Sequence, residues 1–276
     1  MVLDLPRTAM LGVGSMSGAV LDGLLAAGVP ADRFAVTNRS EPSAEALRVR
    51  GLDAVAVETD PEANRRAVRG AGLVVVGVKP FLVADLLREV RADLEPDAVV
   101  VSVAVGVTSV TMESLVPEGV RVVRALPNTP VRVGRGVTGV SGGSRADAAA
   151  VALASSLFAV SGDVLEVPEA QLDALSAVSG SGPAYVFLLV EQWRRAAESL
   201  GFDREQARVM VEGTLRGAVE LLATSDDGPE ALRRAVTSPK GTTERAIAVL
   251  EDADLEGILR RAADAAIARA AELAAL

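Results

Sequence analysis

The sequence predicts an α/β protein in which a doubly wound parallel sheet is followed by an all-helical C-terminal domain. Short β-branched runs alternate with amphipathic stretches as far as Glu166, a pattern typical of a sheet with helices on both faces. Residues 73–76 and 99–101 are continuously apolar, as parallel strands buried on both faces are. After Glu166 the strand signal stops and helical periodicity takes over. We therefore expect one domain at residues 1–166 and a second at residues 167–276.

The individual elements follow from the same periodicities. Strands are expected at residues 9–12, 34–37, 55–57, 73–78, 98–104 and 120–125, with weaker signals at 137–140 and 164–167. Helices are expected at residues 16–27 and 146–160, then at 183–200, 204–223, 229–236, 243–250 and 255–276. Asp203 followed by Gln206 indicates a capping box at the start of the 204–223 helix. The last segment is too apolar for a lone surface helix, so we expect it to pack against another helix in a partner subunit.

Composition narrows the class of partner. With 28 basic and 37 acidic residues, the 276-residue chain has a formal charge of -9, which disfavours binding to nucleic acid or to an anionic membrane. The N-terminal residues lack the basic and apolar regions of a secretory signal, and no uninterrupted apolar run approaches the ~20 residues of a membrane span. These features predict a soluble protein of the cytoplasm.

The sequence contains no cysteine and no histidine. A thiolate nucleophile, a disulfide framework and a zinc–thiolate site are therefore excluded, and the commonest general acid–base residue and metal ligand is missing. We expect no metal site. Catalysis has to use hydroxyls, carboxylates, lysine, arginine, backbone dipoles or a cofactor. Hydride transfer suits this set because the cofactor supplies the reacting atom.

A glycine-rich turn joins the first predicted strand to the first helix. Gly12 permits a tight turn, and Gly14 allows the backbone to approach a pyrophosphate. The helix that begins near Ser15 and Met16 then offers unpaired N–H groups to the anion. Ser17 takes the third fingerprint position, where a small residue permits close packing of helix on strand. Such a glycine pair also occurs in purely structural turns, but its βαβ context predicts a Rossmann-like dinucleotide-binding domain.

The end of the second strand distinguishes between the dinucleotides. NAD-preferring domains usually carry an acidic residue there, whereas this strand is followed by Asn38, Arg39 and Ser40. Arg39 can form a charge-assisted bond with a 2′-phosphate, helped by Ser40, so the expected cofactor is NADP(H). The alternative is that Arg39 is a solvated loop charge.

Four further segments go beyond the glycine turn. Val78, Lys79 and Pro80 follow the fourth strand at the edge where open α/β sheets bind ligands, although Lys79 could equally be a solvated charge. The other segments are residues 124–130, 177–185 and 236–243. The last two are loops rich in glycine and hydroxyl groups that lead into helices, where N–H donors can bind a substrate carboxylate. One such loop would be a simple helix cap, but three such segments in one chain favour a binding site.

With these segments the sequence resembles the pyrroline-5-carboxylate reductase family over nearly the whole chain, from Gly12 to Leu273. Asn64 falls where the family carries an asparagine that contacts the cofactor. The matching motifs are the glycine turn, Asn38-Arg39, Val78-Lys79-Pro80, Pro127-Asn128-Thr129-Pro130, the Ser-Gly-Ser-Gly-Pro-Ala-Tyr run at residues 179–185 and the Ser-Pro-x-Gly-Thr-Thr loop at residues 238–243.

The resemblance implies the reduction of 1-pyrroline-5-carboxylate to L-proline with NAD(P)H, the last step of proline biosynthesis. It also implies a site built across an intertwined homodimer, which the family often assembles into larger rings. Thr243 corresponds to the hydroxyl that bonds the ring nitrogen, and Ser238, Gly241 and Thr242 correspond to residues around the substrate carboxylate. Asp226 falls where some members place a glutamate near the site. Residues 179–182 correspond to the dimer-interface side of the pocket, or to helix packing alone.

The chain departs from the family pattern at several positions. Lys240 replaces the first glycine of the usual Ser-Pro-Gly-Gly-Thr-Thr loop, where it would strain or reshape the loop, approach the substrate carboxylate or point to solvent. Arg132 lies in a usually small, apolar neighbourhood, and Gln192-Trp193 follow Glu191. Two alternatives remain open. One is a paralogous NADPH-dependent reductase of another cyclic imine or imino acid, and the other is a non-catalytic NADP-binding protein.

Overall fold

The structure, a computed structural model, describes residues 3–274. Within these residues the strands are β1 Thr8–Leu11, β2 Phe34–Asn38, β3 Asp53–Ala56, β4 Leu73–Val76, β5 Val99–Ser102, β6 Arg121–Pro127, β7 Gly136–Gly142 and β8 Gly162–Glu166. They form one eight-stranded sheet in the order β3-β2-β1-β4-β5-β6-β7-β8. Each strand predicted from the sequence is present, and the predicted fold class is confirmed.

The strand order reverses at β1, which lies between β2 and β4. Strands β1 to β6 run parallel to one another, so their carboxyl ends meet at one edge and open a crevice at the point of reversal. The helices that connect the strands are α1 Ser15–Ala26, α2 Glu41–Arg48, α3 Ala63–Val68, α4 Pro80–Val90, α5 Ser109–Leu115 and α6 Ala148–Ala159.

Strand residues alternate between two apolar layers, one on each face of the sheet. In β1, Met10 packs into one layer, while Ala9 and Leu11 pack into the other. In β4, Val75 lies in the first layer and Val74 in the second, and all of these side chains are buried. Because both faces are covered, the strands need continuous apolar runs rather than alternation with polar residues.

The far edge of the sheet differs from the all-parallel arrangement expected from the sequence. Strand β7 is antiparallel to β6 and parallel to β8, so the last two strands run against the other six. The connection from Pro127 to Gly136 contains only a short 3-10 turn, Thr129–Val133. A parallel crossover needs about a dozen residues or more, so this connection returns the chain in the opposite direction.

A buried arginine joins β6 to the start of the helical segment. The Arg124 side chain is 4% exposed, and its Nη1 donates to Glu169 Oε1 at 2.8 Å. Glu169 also accepts hydrogen bonds from the Ser109 backbone N–H, at 2.7 Å, and from the Ser109 hydroxyl. Burial alone would raise the pKa of the Glu169 carboxyl, but the bonds from Ser109 and Arg124 hold that pKa below its usual value. The carboxylate is therefore ionised at neutral pH and balances the buried guanidinium.

The helices after β8 are α7 Leu172–Leu175, α8 Gly182–Ser199, α9 Arg204–Thr224, α10 Pro229–Ala235, α11 Thr242–Asp252 and α12 Leu255–Ala274. The predicted capping box is confirmed, since Asp203 accepts from the Gln206 N–H at 2.8 Å and Gln206 accepts from the Asp203 N–H at 3.0 Å. Residues Gly182–Asp264 form one compact unit, and the described residues up to Ser181 and from Ala265 onwards form another. The domain boundary after residue 166 falls at the end of β8 and stays a prediction.

The loop expected at residues 177–185 is instead helical at every position except Ser181. Ser176–Gly180 form a π-helical turn that continues α7, in which the Ser181 N–H reaches the Ser176 carbonyl oxygen at 2.9 Å. The side-chain amide of Asn128, just after β6, donates to the Ser179 carbonyl oxygen at 2.9 Å. These bonds replace the loop geometry that the glycine and serine content suggests.

Helix α8 carries large apolar side chains that the chain itself leaves exposed. Phe187 is 68% exposed, and Leu188, Leu189 and Trp193 are exposed as well. The helical stretch Glu169–Ser199 contains an 18-residue window of mean hydropathy 1.3, of which 6% is buried, so it meets the length and composition of a membrane span. A single helix of this kind is weak evidence for a membrane, because an interface between subunits produces the same exposed apolar face.

Candidate functional site

The glycine turn lies at the carboxyl end of β1 and leads into α1. Gly12 has φ +74°, and a Cβ at this position would clash with the Val78 side chain. The N–H groups of Gly12 and Val13 both donate to the Thr37 carbonyl oxygen at 3.0 Å, which fixes the turn against β2. Gly14 is exposed, has open space where a Cβ would stand and forms the cap of α1. The backbone at this turn is therefore accessible to a ligand.

Ser17 packs tightly beneath the turn. Its buried hydroxyl accepts from the Gly14 N–H at 3.3 Å and donates to the Gly12 carbonyl oxygen at 3.5 Å. A Cβ at Gly77, just after β4, would lie 3.0 Å from the Ser17 Cβ and 2.9 Å from the Gly12 carbonyl oxygen. Close packing thus explains why the third fingerprint position holds a small residue.

Asn38 and Arg39, at the carboxyl end of β2, have opposite environments. Asn38 is buried, and its amide nitrogen donates to the Val13 carbonyl oxygen at 2.6 Å, while its Oδ1 has no hydrogen-bond partner in the described part of the chain. Arg39 is exposed and forms no ion pair with any described carboxylate. The Ser40 hydroxyl shares a hydrogen bond with Ser43 at 3.0 Å. The free Asn38 Oδ1 can accept a hydrogen bond from a ribose hydroxyl, and the unpaired Arg39 guanidinium can bind a phosphate on that ribose.

Asn64 is buried and already engaged. Its Oδ1 accepts from the Thr37 hydroxyl at 2.7 Å, and its amide nitrogen donates to Glu89 Oε2 at 3.3 Å. The side chain therefore links β2 to α4. Its predicted contact with the cofactor stays a prediction.

Val78, Lys79 and Pro80 lead from β4 into α4. Val78 is half-buried beside Gly12, Lys79 is the exposed N-cap residue, and Pro80 begins the helix. The structure thus brings Val78 and the glycine turn together at the crevice. Whether the Lys79 ammonium binds a ligand stays a prediction.

A cleft of about 1080 Å³ lies between α1, α2 and the turn that follows β6. Gly14, Ser15 and Asn38 line it together with Arg132, while Arg39 and Lys79 lie outside its lining. The Arg132 guanidinium donates a hydrogen bond to the Ser15 hydroxyl. From the sequence Arg132 is only a departure from the family pattern, and this contact is not predictable from it.

The loop before α11 is the second predicted site and belongs to the compact unit Gly182–Asp264. The Gly241 N–H donates to the Ser238 carbonyl oxygen at 3.0 Å, and Gly241 precedes the first helical residue, Thr242. No side chain caps the N–H groups at this helix start. Among the described residues, the hydroxyls of Ser238, Thr242 and Thr243 have no hydrogen-bond partner. Hydroxyls and open N–H groups are thus presented together, an arrangement that binds carboxylates and phosphates.

Lys240 adopts a backbone conformation that favours glycine. Its φ is +62°, and its N–H donates to Glu244 Oε2 at 2.9 Å, which holds the turn in place. The strain considered from the sequence is therefore present. Asp226 lies exposed in the turn between α9 and α10, and its predicted place at the site stays a prediction.

Replacement of Lys240 by glycine should raise the free energy of unfolding by ~0.5 kcal/mol, because relief of left-handed strain exceeds the entropy added to the unfolded chain. Urea unfolding of the full chain measures this change. Lys79→Gly is the matched control, since Lys79 has φ −62° and gains no such relief. A loss of stability in Lys240→Gly equal to that of the control would contradict the strain at residue 240.

The fold and these sites together define a class of protein. A doubly wound sheet carries an accessible glycine turn at the reversal of strand order, and an unpaired arginine stands where an acidic residue would select NAD. These features are those of an NADP(H)-dependent oxidoreductase.

Comparison with known proteins narrows the class. Residues 7–106 match the family model "NADP oxidoreductase coenzyme F420-dependent", and residues 169–273 match "Pyrroline-5-carboxylate reductase dimerisation". The pyrroline-5-carboxylate reductase of Pseudomonas aeruginosa is 38% identical over 274 residues, which are 99% of this chain and 98% of that protein.

Solved structures agree. A pyrroline-5-carboxylate reductase from Coxiella burnetii superposes with a TM-score of 0.91 at 37% identity, covering 98% of this chain and 99% of that one. The pyrroline carboxylate reductase of Plasmodium falciparum, solved with NADP bound, has a TM-score of 0.83 at 24% identity and covers 98% of each chain, which supports the fold.

The chain belongs to the pyrroline-5-carboxylate reductase family. The predicted family and enzyme class are confirmed, and the match of residues 7–106 to an NADP oxidoreductase model confirms the predicted use of NADP(H). The match to the dimerisation model also supports self-association through the C-terminal helices.

Proposed function

We propose that this chain reduces 1-pyrroline-5-carboxylate to L-proline with NADPH. In the balanced reaction the imine carbon gains a hydride and the ring nitrogen gains a proton, so that the imine, NADPH and H⁺ give proline and NADP⁺. The observation that carries this proposal is the 238–243 loop. This loop presents hydroxyls and open N–H groups that suit a small anionic substrate, in a chain that belongs to the pyrroline-5-carboxylate reductase family.

The substrate carboxylate is bound at the start of α11. The hydroxyls of Ser238 and Thr242 and the Thr242 N–H donate to its oxygens, and the helix start favours its negative charge. Gly241, whose N–H bonds the Ser238 carbonyl oxygen, shapes the turn beside the carboxylate. Lys240, in the same loop, adds a positive charge nearby. Asp226 borders the substrate, by its correspondence to the family's acidic residue.

Thr243 is the residue assigned to the ring nitrogen. Its hydroxyl has no other described partner, so it can hydrogen-bond the imine nitrogen and orient the ring. A cyclic imine takes up a proton readily, so the reaction requires no histidine, and this chain has none. When bound, the nicotinamide supplies the hydride. The chain's own contribution is to hold the reacting atoms in a productive geometry.

The dinucleotide is held at the carboxyl edge of β1, β2 and β4. The glycine turn and the start of α1 bind the pyrophosphate, and the end of β2 binds the 2′-phosphorylated ribose. The proposed cofactor contacts are Gly12, Gly14, Ser15, Met16, Asn38, Arg39, Ser40, Asn64, Val78, Lys79 and Pro80.

Arg39→Ala should weaken NADPH binding about tenfold and leave NADH binding nearly unchanged, because only NADPH carries the 2′-phosphate. Dissociation constants for both dinucleotides, from calorimetric titration, test this. Arg33→Ala, which removes another exposed arginine beside β2, is the matched control. Equal losses of affinity for NADPH and NADH would show that Arg39 does not bind the 2′-phosphate.

The proposed functional unit is an intertwined homodimer. Several such dimers would make up the larger rings of the family. The exposed apolar side chains of α8 and the match to the dimerisation model support this arrangement. The proposed compartment is the cytoplasm, on the composition of the chain. No nucleic-acid or membrane partner is proposed.

A second candidate is a reductase of another cyclic imine or imino acid, favoured by Lys240 in its strained position within the substrate loop. Loss of NADPH absorbance on adding 1-pyrroline-5-carboxylate, with a second cyclic imine run alongside, separates the two. Oxidation that yields proline supports the first proposal. Turnover confined to the other imine supports the second candidate, and NADPH binding without any turnover supports a non-catalytic protein.

A further inference from the structure

Arg132 has no role in the function proposed above. It belongs to the Thr129–Val133 turn after β6, and its Nη2 donates a hydrogen bond to the Ser15 hydroxyl. Ser15 is the first residue of α1 and directly follows the exposed Gly14. A guanidinium therefore lies at the amino end of the helix that the glycine turn begins.

This placement is electrostatically unfavourable for the protein alone. The amino end of a helix carries partial positive charge, which repels a neighbouring cation. The first turn of α1 contains no acidic residue, and within residues 3–274 no carboxylate forms an ion pair with Arg132. A guanidinium and a helix start thus converge without a negative group between them, and a bound anion would satisfy both.

A second observation identifies the anion as part of a nucleotide. Gly14, Ser15 and Arg132 line the same cleft as Asn38, which is 7% exposed and whose buried Oδ1 has no partner in the described chain. A carbonyl oxygen of this kind accepts a hydrogen bond from a hydroxyl, and the sugars of a dinucleotide provide hydroxyls next to its phosphates. The cleft therefore combines donors for a phosphate with an acceptor for a sugar.

We infer that Arg132 binds the pyrophosphate of NADP(H). The inference rests on the proposed position of the pyrophosphate at the glycine turn. A guanidinium matches two phosphate oxygens with paired N–H groups, so Arg132 adds a directed charged contact to the backbone donors of α1. Because NADPH and NADH share the pyrophosphate, Arg132 raises the affinity for both, whereas Arg39 acts on the 2′-phosphate alone.

The test compares Arg132→Leu with Arg135→Leu in the full-length protein. Arg135 is exposed, lies three residues along the chain and loses the same charge, but it does not line the cleft. Calorimetric titration with NADPH, NADH and 2′-AMP gives the dissociation constants. For Arg132→Leu we expect about tenfold weaker binding of both dinucleotides, an unchanged affinity for 2′-AMP and a shallower salt dependence. Arg132→Lys should recover part of the loss because it restores the charge without the paired donors.

The outcomes separate this inference from the proposed cofactor site. A loss below twofold for both dinucleotides in Arg132→Leu would overturn the inference, and so would a loss confined to NADPH. An equal loss in Arg135→Leu would also overturn it, since the effect would then be general charge attraction. If Arg39→Ala fails to separate NADPH from NADH, the placement of the 2′-phosphate is wrong whatever Arg132 does.

Discussion

Thr243→Ala is expected to lower turnover of 1-pyrroline-5-carboxylate about a hundredfold, as removal of a proton-handling or orienting group does, while leaving NADPH affinity within about twofold. NADPH affinity should stay nearly unchanged because Thr243 lies at the start of α11, whereas the proposed dinucleotide contacts lie in the domain that contains the sheet. Stopped-flow absorbance of NADPH and a direct titration of NADPH measure the two quantities separately.

Two controls define what the loss means. Thr243→Ser keeps the hydroxyl and should retain most of the turnover. Thr237→Ala removes a hydroxyl from the same region, where it donates to the Arg233 carbonyl oxygen, and should leave turnover nearly intact. If Thr243→Ala turned over at the rate of the parent protein, Thr243 would have no part in orienting the imine.

Glu169→Ala is expected to lower the free energy of unfolding by about 3 kcal/mol, because it leaves the buried Arg124 guanidinium without its counter-charge. This value is at the low end for a buried ion pair, because the Glu169 side chain is 28% exposed. Two of the guanidinium nitrogens, Nε and Nη2, already have no partner among the described residues, so no other group compensates. Chemical denaturation at neutral pH measures the change.

The same pair predicts how stability depends on pH. Burial would raise the pKa of Glu169, but the bonds from Ser109 and Arg124 lower it overall, so the folded state favours the carboxylate. Its contribution is fully present above the unfolded pKa of ~4.3 and is lost as the pH falls through the lower folded value. Asp85→Ala, which breaks an exposed pair with Arg88, should change stability little. If Glu169→Ala and Asp85→Ala lowered the free energy of unfolding equally, the burial of Arg124 would not determine the strength of its ion pair.

The strands were predictable because both faces of the sheet are covered. Val74 and Val75 point to opposite layers and both need to be apolar, so a continuous run predicts a buried strand directly. The direction of β7 was not predictable. The predicted strands leave residues 126–136 between them, a connection close to the length that a parallel crossover needs.

The dinucleotide turn was the most predictable part of the site, since Gly12 is fixed by its positive φ and its close contact with Val78. The strain at Lys240 followed from the glycine that the family carries there. The contact of Arg132 with Ser15 was not predictable because it joins residues far apart in the chain. Nor was the π-helical turn at Ser176–Gly180, whose two serines and one glycine are also typical of loops.

In the proposed homodimer, the exposed face of α8 makes the stability of this protein depend on its abundance. Phe187 and its apolar neighbours leave water there when copies of the chain associate. By mass action, dilution favours separate chains that keep this face hydrated, and crowding many copies together favours the associated, more stable form. The temperature at which half the molecules unfold is therefore set by the amount of protein in solution as well as by its sequence.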